Sequence, residues 1–296
     1  MGMCSCNKRT GDTANEVEVE DQEPKITSLS ESRRNRTYPL ENLIKIQSFW
    51  RGHQTRKLYH AVLYNKAQHG VQENGSTYTG SWNGSKREGF GVQKWSNGAR
   101  FEGQWKENKI HKRGRLFKSD GTVVDSNWVG NTANGKGVYV YDHRAWFEGD
   151  FKNDLKHGFG AETWMDGSVY KGFYQDGLKH GFGVYWWKDG NMYTGQWELN
   201  NINGFGTYFW NDGRMYMGEW KQNTMHGTGV HLWGDGRSYE GQYRNDKKHG
   251  FGTYTWSDGK KYIGMWKNGK QNGEGKYVYP DGKEKCHSWE NGRRIK

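Results

Sequence analysis

The chain has 296 residues, with 44 Lys and Arg against 33 Asp and Glu, a formal net charge of +11. Hydrophobic residues make up only 32%, yet 16% of the chain is aromatic, and there are 44 Gly against 3 Pro. That composition excludes a large aliphatic core and leaves a slender structure with a thin aromatic one, because Trp and Tyr each bury a large area.

The cationic balance invites anionic partners, whether acidic protein, lipid headgroup or nucleic acid, or serves solubility alone. Three cysteines, Cys4, Cys6 and Cys286, form neither a framework of paired disulfides nor a set of spaced zinc ligands, which fits a reducing compartment. There is no apolar run of about 18 residues to span a membrane, and the start lacks the apolar core of a secretory signal. The expected location is therefore the cytoplasm.

The chain opens MGMCSCNKR, which exposes Gly2 once Met1 is removed and places Cys4 and Cys6 close behind it. The N-myristoylation pattern asks for Ser or Thr where Cys6 stands. Acylation at Gly2 together with Cys4 or Cys6 would give the stable anchoring that a single chain cannot. An unmodified flexible terminus is the competing account. Residues 1–36 carry an acidic cluster at Glu16, Glu18, Glu20 and Asp21 and then the basic Arg33, Arg34 and Arg36, a polar composition expected of a disordered linker.

Over 37–69 the pattern changes. Leu43, Ile46, Trp50, Leu58, Ala61 and Val62 recur at three- and four-residue steps, which predicts one amphipathic helix with a start at Thr37 and Pro39 and a stop at Gly70. Inside it lies IKIQSFWRGHQTRKLY. Ile46 and Trp50 sit four apart and can anchor in an apolar cleft, while Lys45, Arg51, Arg56 and Lys57 meet acid on its rim. With Gln47 and Gly52 also in place, the segment resembles a complete IQ motif, and that resemblance implies a calmodulin or calmodulin-like EF-hand partner, often held without calcium. A helix that only packs on a neighbouring sheet has the same amphipathicity.

Residues 70–296 hold a repeat. Nine units follow without insertion, beginning at Tyr78, Phe101, Val124, Phe147, Tyr170, Tyr193, Tyr216, Tyr239 and Tyr262, and the last ends at Glu284. A fixed period means one supersecondary unit per repeat, stacked on its neighbours. Tyr193, Gly195, Trp197 and then Gly204, Gly206, Tyr208, Trp210 step by two, the period of a strand with one buried face. Asp212-Gly213 and its equivalents follow each second strand, where such pairs make tight turns. The prediction is a mainly β fold: an elongated twisted antiparallel meander of hairpins preceded by one helix. Gly195 and Gly204 are expected to let an aromatic ring from an adjacent strand lie flat on the backbone.

Units such as YTGQWELNNINGFGTYFW, YEGQYRNDKKHGFGTYTW and YKGFYQDGLKHGFGVYWW resemble MORN repeats, whose known members scaffold cytoskeletal, ciliary and membrane-contact assemblies. The second and third units depart from the pattern: Lys112 stands for a Gly, Ser126 for another, Val124 for the leading aromatic and Asp142-His143-Arg144 for Asp-Gly. Local distortion is expected between about Lys106 and Trp146. Asn74-Gly75 and the stretch from Lys285 to Trp289 read as partial repeats that cap the array.

Little chemistry is predicted inside the array. His111, His157, His180, His226 and His249 share one repeat position with Asn134, Asn203 and Asn272. Equivalent positions lie two strands apart, roughly 9.6 Å, too far for one metal ion, so these residues are read as turn formers tolerant of unusual backbone angles. The Gly-Phe-Gly triplets lack the third glycine of a dinucleotide fingerprint, and no catalytic signature is found. Neither a cofactor nor nucleic acid is expected, because the aromatics are committed to folding rather than exposed as stacking platforms.

The expected function is a non-catalytic scaffold: a rod of about 18 strands, on the order of 85 Å long, carrying a calmodulin-like protein through Ile46, Gln47, Trp50, Arg51, Gly52 and Arg56. The resemblance places it in a cytoskeletal or ciliary (axonemal) assembly. The alternative is a peripheral membrane tether, acylated at Gly2, Cys4 or Cys6, whose Lys106, Lys109, Lys112, Arg113 and Arg115 rest on acidic phospholipid.

Overall fold

The computed structural model describes residues 68–71, 74–142 and 144–295. The expected helix with its IQ motif, and the terminus with Gly2, Cys4 and Cys6, lie outside the described residues. The rest is one open antiparallel sheet of 21 strands, from Gln68–Val71 to Arg293–Arg294. Each strand pairs with the next in sequence, so the sheet is a meander, and extensive contact is made only between consecutive strands. It is a single layer, as the thin aromatic core requires.

The sixth repeat shows how a unit closes. Strand Met192–Glu198 turns through Leu199 and Asn200 into Asn201–Phe209. Both turn residues have positive φ, 48° and 69°, the geometry that matches the twist of a two-residue hairpin. The strain is offset by the preceding repeat. Asn200 N–H donates to the carbonyl of Lys179 at 3.0 Å, and its Oδ1 accepts the Lys179 N–H at 2.8 Å. The same reciprocal bond joins Asn108 to Arg87 and Asn223 to Ile202, so each turn is stitched to the hairpin behind it. The opposite turn is the expected Asp-Gly: Gly213 has φ 90°, and Asp212 Oδ1 accepts the Arg214 N–H at 3.1 Å.

The core is a ring laid on two glycines. Tyr193 is 0% exposed, and a Cβ at Gly195 or Gly206 would meet its hydroxyl at 2.4 or 2.2 Å. The hydroxyl donates to the Gln196 carbonyl at 3.0 Å. Two expectations are corrected: the ring comes from the hairpin's own first strand, and the second glycine beneath it is Gly206, not Gly204. Gly204 has φ 79° and sits in a bulge, where the register passes from Gly195↔Gly206 to Trp197↔Ile202. The bulge leaves the Phe205 N–H without a ladder partner, and Gln196 Oε1 accepts it at 2.6 Å. Trp197 then meets Tyr193 edge-on at 5.3 Å and Tyr170 of the preceding repeat at 5.4 Å, geometry worth about 0.5–1.5 kcal/mol per pair beyond burial. Its indole N–H donates to the Gly183 carbonyl at 3.3 Å, which locks one repeat to the next.

At the glycine positions the second and third repeats keep this register instead of breaking it. Gly103 pairs with Gly114, Gly114 with Ser126, and Ser126 with Gly137. Lys112 adopts φ 53° and takes the bulge position itself. Val124 is too short to cover two glycines, and Ser126, 0% exposed, fills the space, its Oγ lying 2.5 Å from where a Cβ on Gly137 would stand. The expected distortion falls at the end of the third repeat, whose second strand runs on as Thr132–Asp142 with a register shift between Val140 and Asp142, the latter paired to Ala145.

The exchange of ring plus glycine for valine plus serine can be transplanted. Gly195→Ser alone should destabilise the array by about 3 kcal/mol through overpacking. Combined with Tyr193→Val, the loss should fall short of the sum of the single losses by at least about 1 kcal/mol in a urea double-mutant cycle.

Candidate interaction surfaces

A single-layer sheet offers two faces and two rows of turns. On the face that carries the rings, half-buried aromatics of the second strands form a ladder: Trp164 on Tyr185 at 5.3 Å, Trp187 on Tyr208 at 5.2 Å, and Trp210 on His231 at 5.2 Å. Cations lie over them. Lys248 Nζ is 4.1–5.1 Å from the rings of Trp233, Tyr239, Tyr254 and Trp266, and burial, followed by Arg237, lowers its ammonium to about 8. In the fourth repeat Glu162 takes the ladder position. It is 5% exposed, pairs with Lys156 and accepts the Tyr174 hydroxyl at 2.9 Å. These groups satisfy one another and read as packing.

The outward face carries Phe159, Phe173, Phe182, Phe205 and Phe251, each roughly half exposed. It also carries the histidine column, whose role differs from the expectation. Positive φ falls on the following residue, such as Gly158 or Gly204. The column asparagines and His157 instead accept the N–H of the next hairpin's turn: Asn134 Oδ1 from Asn153 at 3.1 Å, Asn203 Oδ1 from Gln222 at 3.2 Å, and His157 Nδ1 from Asp176 at 3.5 Å, whereas Nδ1 of His180, His226 and His249 is buried without a hydrogen-bond partner. At His157 the imidazole offers an acceptor at the reach of the asparagine amide. Among the described residues no group of three or more His, Cys, Asp or Glu is placed to hold a metal ion.

The predicted basic patch is divided. Lys106 and Lys109 flank the turn at Glu107 and Asn108, exposed, and Lys112 is exposed at the bulge. Arg113 and Arg115 lie on the outward face and both hold Asp125, at 2.9 and 2.7 Å. A second basic group escaped the sequence reading. Arg244 pairs with Lys247 and Lys267 with Lys270 across their turns, in the same repeat position as Lys106 and Lys109. Aligning the repeats by that position would have found it.

Three comparisons bear on the chain. The MORN repeat family matches residues 78–100, 101–123, 125–142, 147–169, 170–192, 193–213, 216–236, 239–261 and 262–284. The IQ calmodulin-binding motif matches residues 42–60. A comparison with curated proteins found no match. Among solved structures, the TCP10 domain of Danio rerio CPAP, in complex with a peptide of Danio rerio STIL, is 12% identical over 78% of this chain and 97% of that one, with TM-score 0.42. The TCP domain of Drosophila melanogaster SAS-4, in complex with a proline-rich motif of Ana2, is 9% identical over 59% of this chain and 89% of that one, with TM-score 0.31. Likeness at this level carries no argument here.

The buried ladder yields a pH prediction. His231 is 6% exposed between Trp210 and Trp233, 4.1 Å from the latter, and burial, with Arg214 and Lys248, lowers its imidazole to about 4. Between pH 6.5 and 4 the unfolded chain binds a proton that the folded chain refuses, so this residue costs stability as pH falls through that window. His231→Tyr, which installs the ring found at Tyr208 and Tyr254, should flatten the loss by on the order of 2 kcal/mol when urea midpoints at pH 7 and pH 4 are compared.

Proposed function

Because the chain belongs to the MORN-repeat family, we propose that it is a non-catalytic interaction scaffold that carries a calmodulin-like EF-hand protein on its IQ motif and organises a cytoskeletal or ciliary (axonemal) assembly from its repeat sheet. Both matched modules are of non-catalytic interaction type. The observation that carries the reading is the packing itself. Nearly every ring and glycine on one face is consumed by the fold, whereas the turn rows stay exposed along the array and outward phenylalanines stay exposed in the fourth, fifth, sixth and eighth repeats. Such a surface suits partners bound side by side at fixed spacing.

A second reading, peripheral attachment to acidic phospholipid through Gly2, Cys4 or Cys6, is favoured by the exposed Lys106, Lys109 and Lys112. It is weakened by Asp125, which neutralises part of the charge of Arg113 and Arg115. Flotation of the native protein with phosphatidylserine vesicles separates the two readings. Binding that survives Gly2→Ala, Cys4→Ser, Cys6→Ser and Lys106→Glu together would count against the tether.

For the scaffold, purified chain should retain a calmodulin-type protein in pull-downs with and without calcium. Ile46→Ala with Arg51→Ala, which removes an apolar anchor and a rim cation, should weaken that binding at least about tenfold, roughly 1.4 kcal/mol. Undiminished recovery would sink the assignment.

A further inference from the structure

The turn row at the far end of the array collects charge that the fold does not use. From Lys221 to Arg294 it presents Lys221, Arg244, Lys247, Lys267, Lys270, Arg293 and Arg294, all exposed, against the carboxylates Asp246 and Glu290. Arg244 stands directly opposite Lys247, and Lys267 opposite Lys270. Like charges paired across strands destabilise a hairpin, so the sheet bears a cost here that no internal contact returns. Asp246 is turned to the sheet, where its Oδ1 accepts the Met225 N–H at 2.8 Å. In the middle of the same row the equivalent positions are Leu155, Leu178 and Asn201, so the charge is local.

A cleft opens at this end. About 620 Å³ lies between Lys221, Thr224, His226, Thr228, Gln242, Arg244 and His249. Thr228, next to the bulge residue Gly227, stands where Phe159, Phe182, Phe205 and Phe251 stand in other repeats, so no ring covers this part of the face. Two cations and two imidazoles line it, and no carboxylate does. Glu219 borders it with its Oε1 committed to the Thr228 N–H at 2.9 Å.

We propose that this turn row binds an extended acidic peptide of a partner protein, with carboxylates at every third residue and one of them seated in the Thr228 cleft. Successive cation pairs recur every two strands, about 9.6 Å, and one turn of a peptide extended as polyproline II, three residues, rises about 9.3 Å and returns every third side chain to the same face. Acidic side chains at that interval meet one repeat each. Duplex nucleic acid, with a phosphate about every 3.4 Å along each strand, would leave two of every three phosphates without a cation. The inference rests on the scaffold reading and adds to it the chemistry of one partner.

Fluorescence anisotropy on the full chain tests it with two labelled synthetic peptides of equal length and composition. One carries a glutamate at every third position among serine and glycine, and the other carries the same glutamates in a block. The spaced peptide should bind at least about tenfold more tightly, and that advantage should vanish in Arg244→Glu, Lys247→Glu, Lys267→Glu, Lys270→Glu while persisting in Lys106→Glu, Lys109→Glu. Thr228→Phe, which restores the ring of the sister repeats, should weaken the spaced peptide several-fold with the fold intact by circular dichroism. Equal binding of the two peptides, an unaffected charge-reversal variant, or binding to phosphatidylserine vesicles in place of peptide through the same residues would each overturn the proposal. Calmodulin capture by the same variants reports separately on the scaffold reading, since its motif lies at residues 42–60.

Discussion

The contact on which the sheet depends is a ring lying flat on two glycines. A single layer has no second sheet to press against, so its apolar side chains must fold down onto their own backbone, and only a residue without Cβ gives them a floor. Tyr193 on Gly195 and Gly206 is repeated by Tyr170 on Gly172 and Gly183, and by Tyr262 on Gly264 and Gly275. Phe101 and Phe147 serve equally, which shows that area and flatness matter more than the hydroxyl bond. The tryptophans then stand edge-on between successive rings, so the core is a row of interlocked pairs and not a filled interior.

That floor leaves the backbone exposed to a second problem, the N–H groups that turns and bulges withdraw from the ladder. In the sixth repeat three side chains answer it. Asn200 of the turn reaches back to the preceding hairpin, Asn203 of the column reaches forward to the next, and Gln196 caps the bulge within its own hairpin. Because two of the three cross from one repeat to another, a unit removed from its neighbours loses hydrogen bonds as well as buried area. The stability of the array is therefore carried largely by its interfaces.

Much of this was legible in the sequence. The 23-residue period, the alternation along each strand and the Asp-Gly pairs fix hairpins, because local backbone chemistry alone decides them. What stayed hidden depended on pairing. Gly204 and Gly206 look alike on paper, and only the bulge decides that one bends while the other is covered. His157 was assigned to a turn because its acceptor role needs a donor 19 residues away. Val124 and Ser126 pointed to local distortion, whereas each compensates for the other. Among the candidate site residues, Lys106 and Lys109 lie as an exposed pair, whereas Asp125, whose position across the sheet sequence spacing does not reveal, claims Arg113 and Arg115.

The order of the strands carries a mechanical consequence. Every strand lies beside its sequence neighbour, so the hydrogen bonds between strands point along the direction in which the repeats accumulate. A pull applied between the first and last repeats would load every row of bonds in series, and the terminal hairpin, braced by a neighbour on one side only, would open first. Under tension such an array lengthens in steps, each releasing one hairpin, and shortens again as hairpins re-form. It behaves as an extensible link between the things it holds, not as a stiff strut.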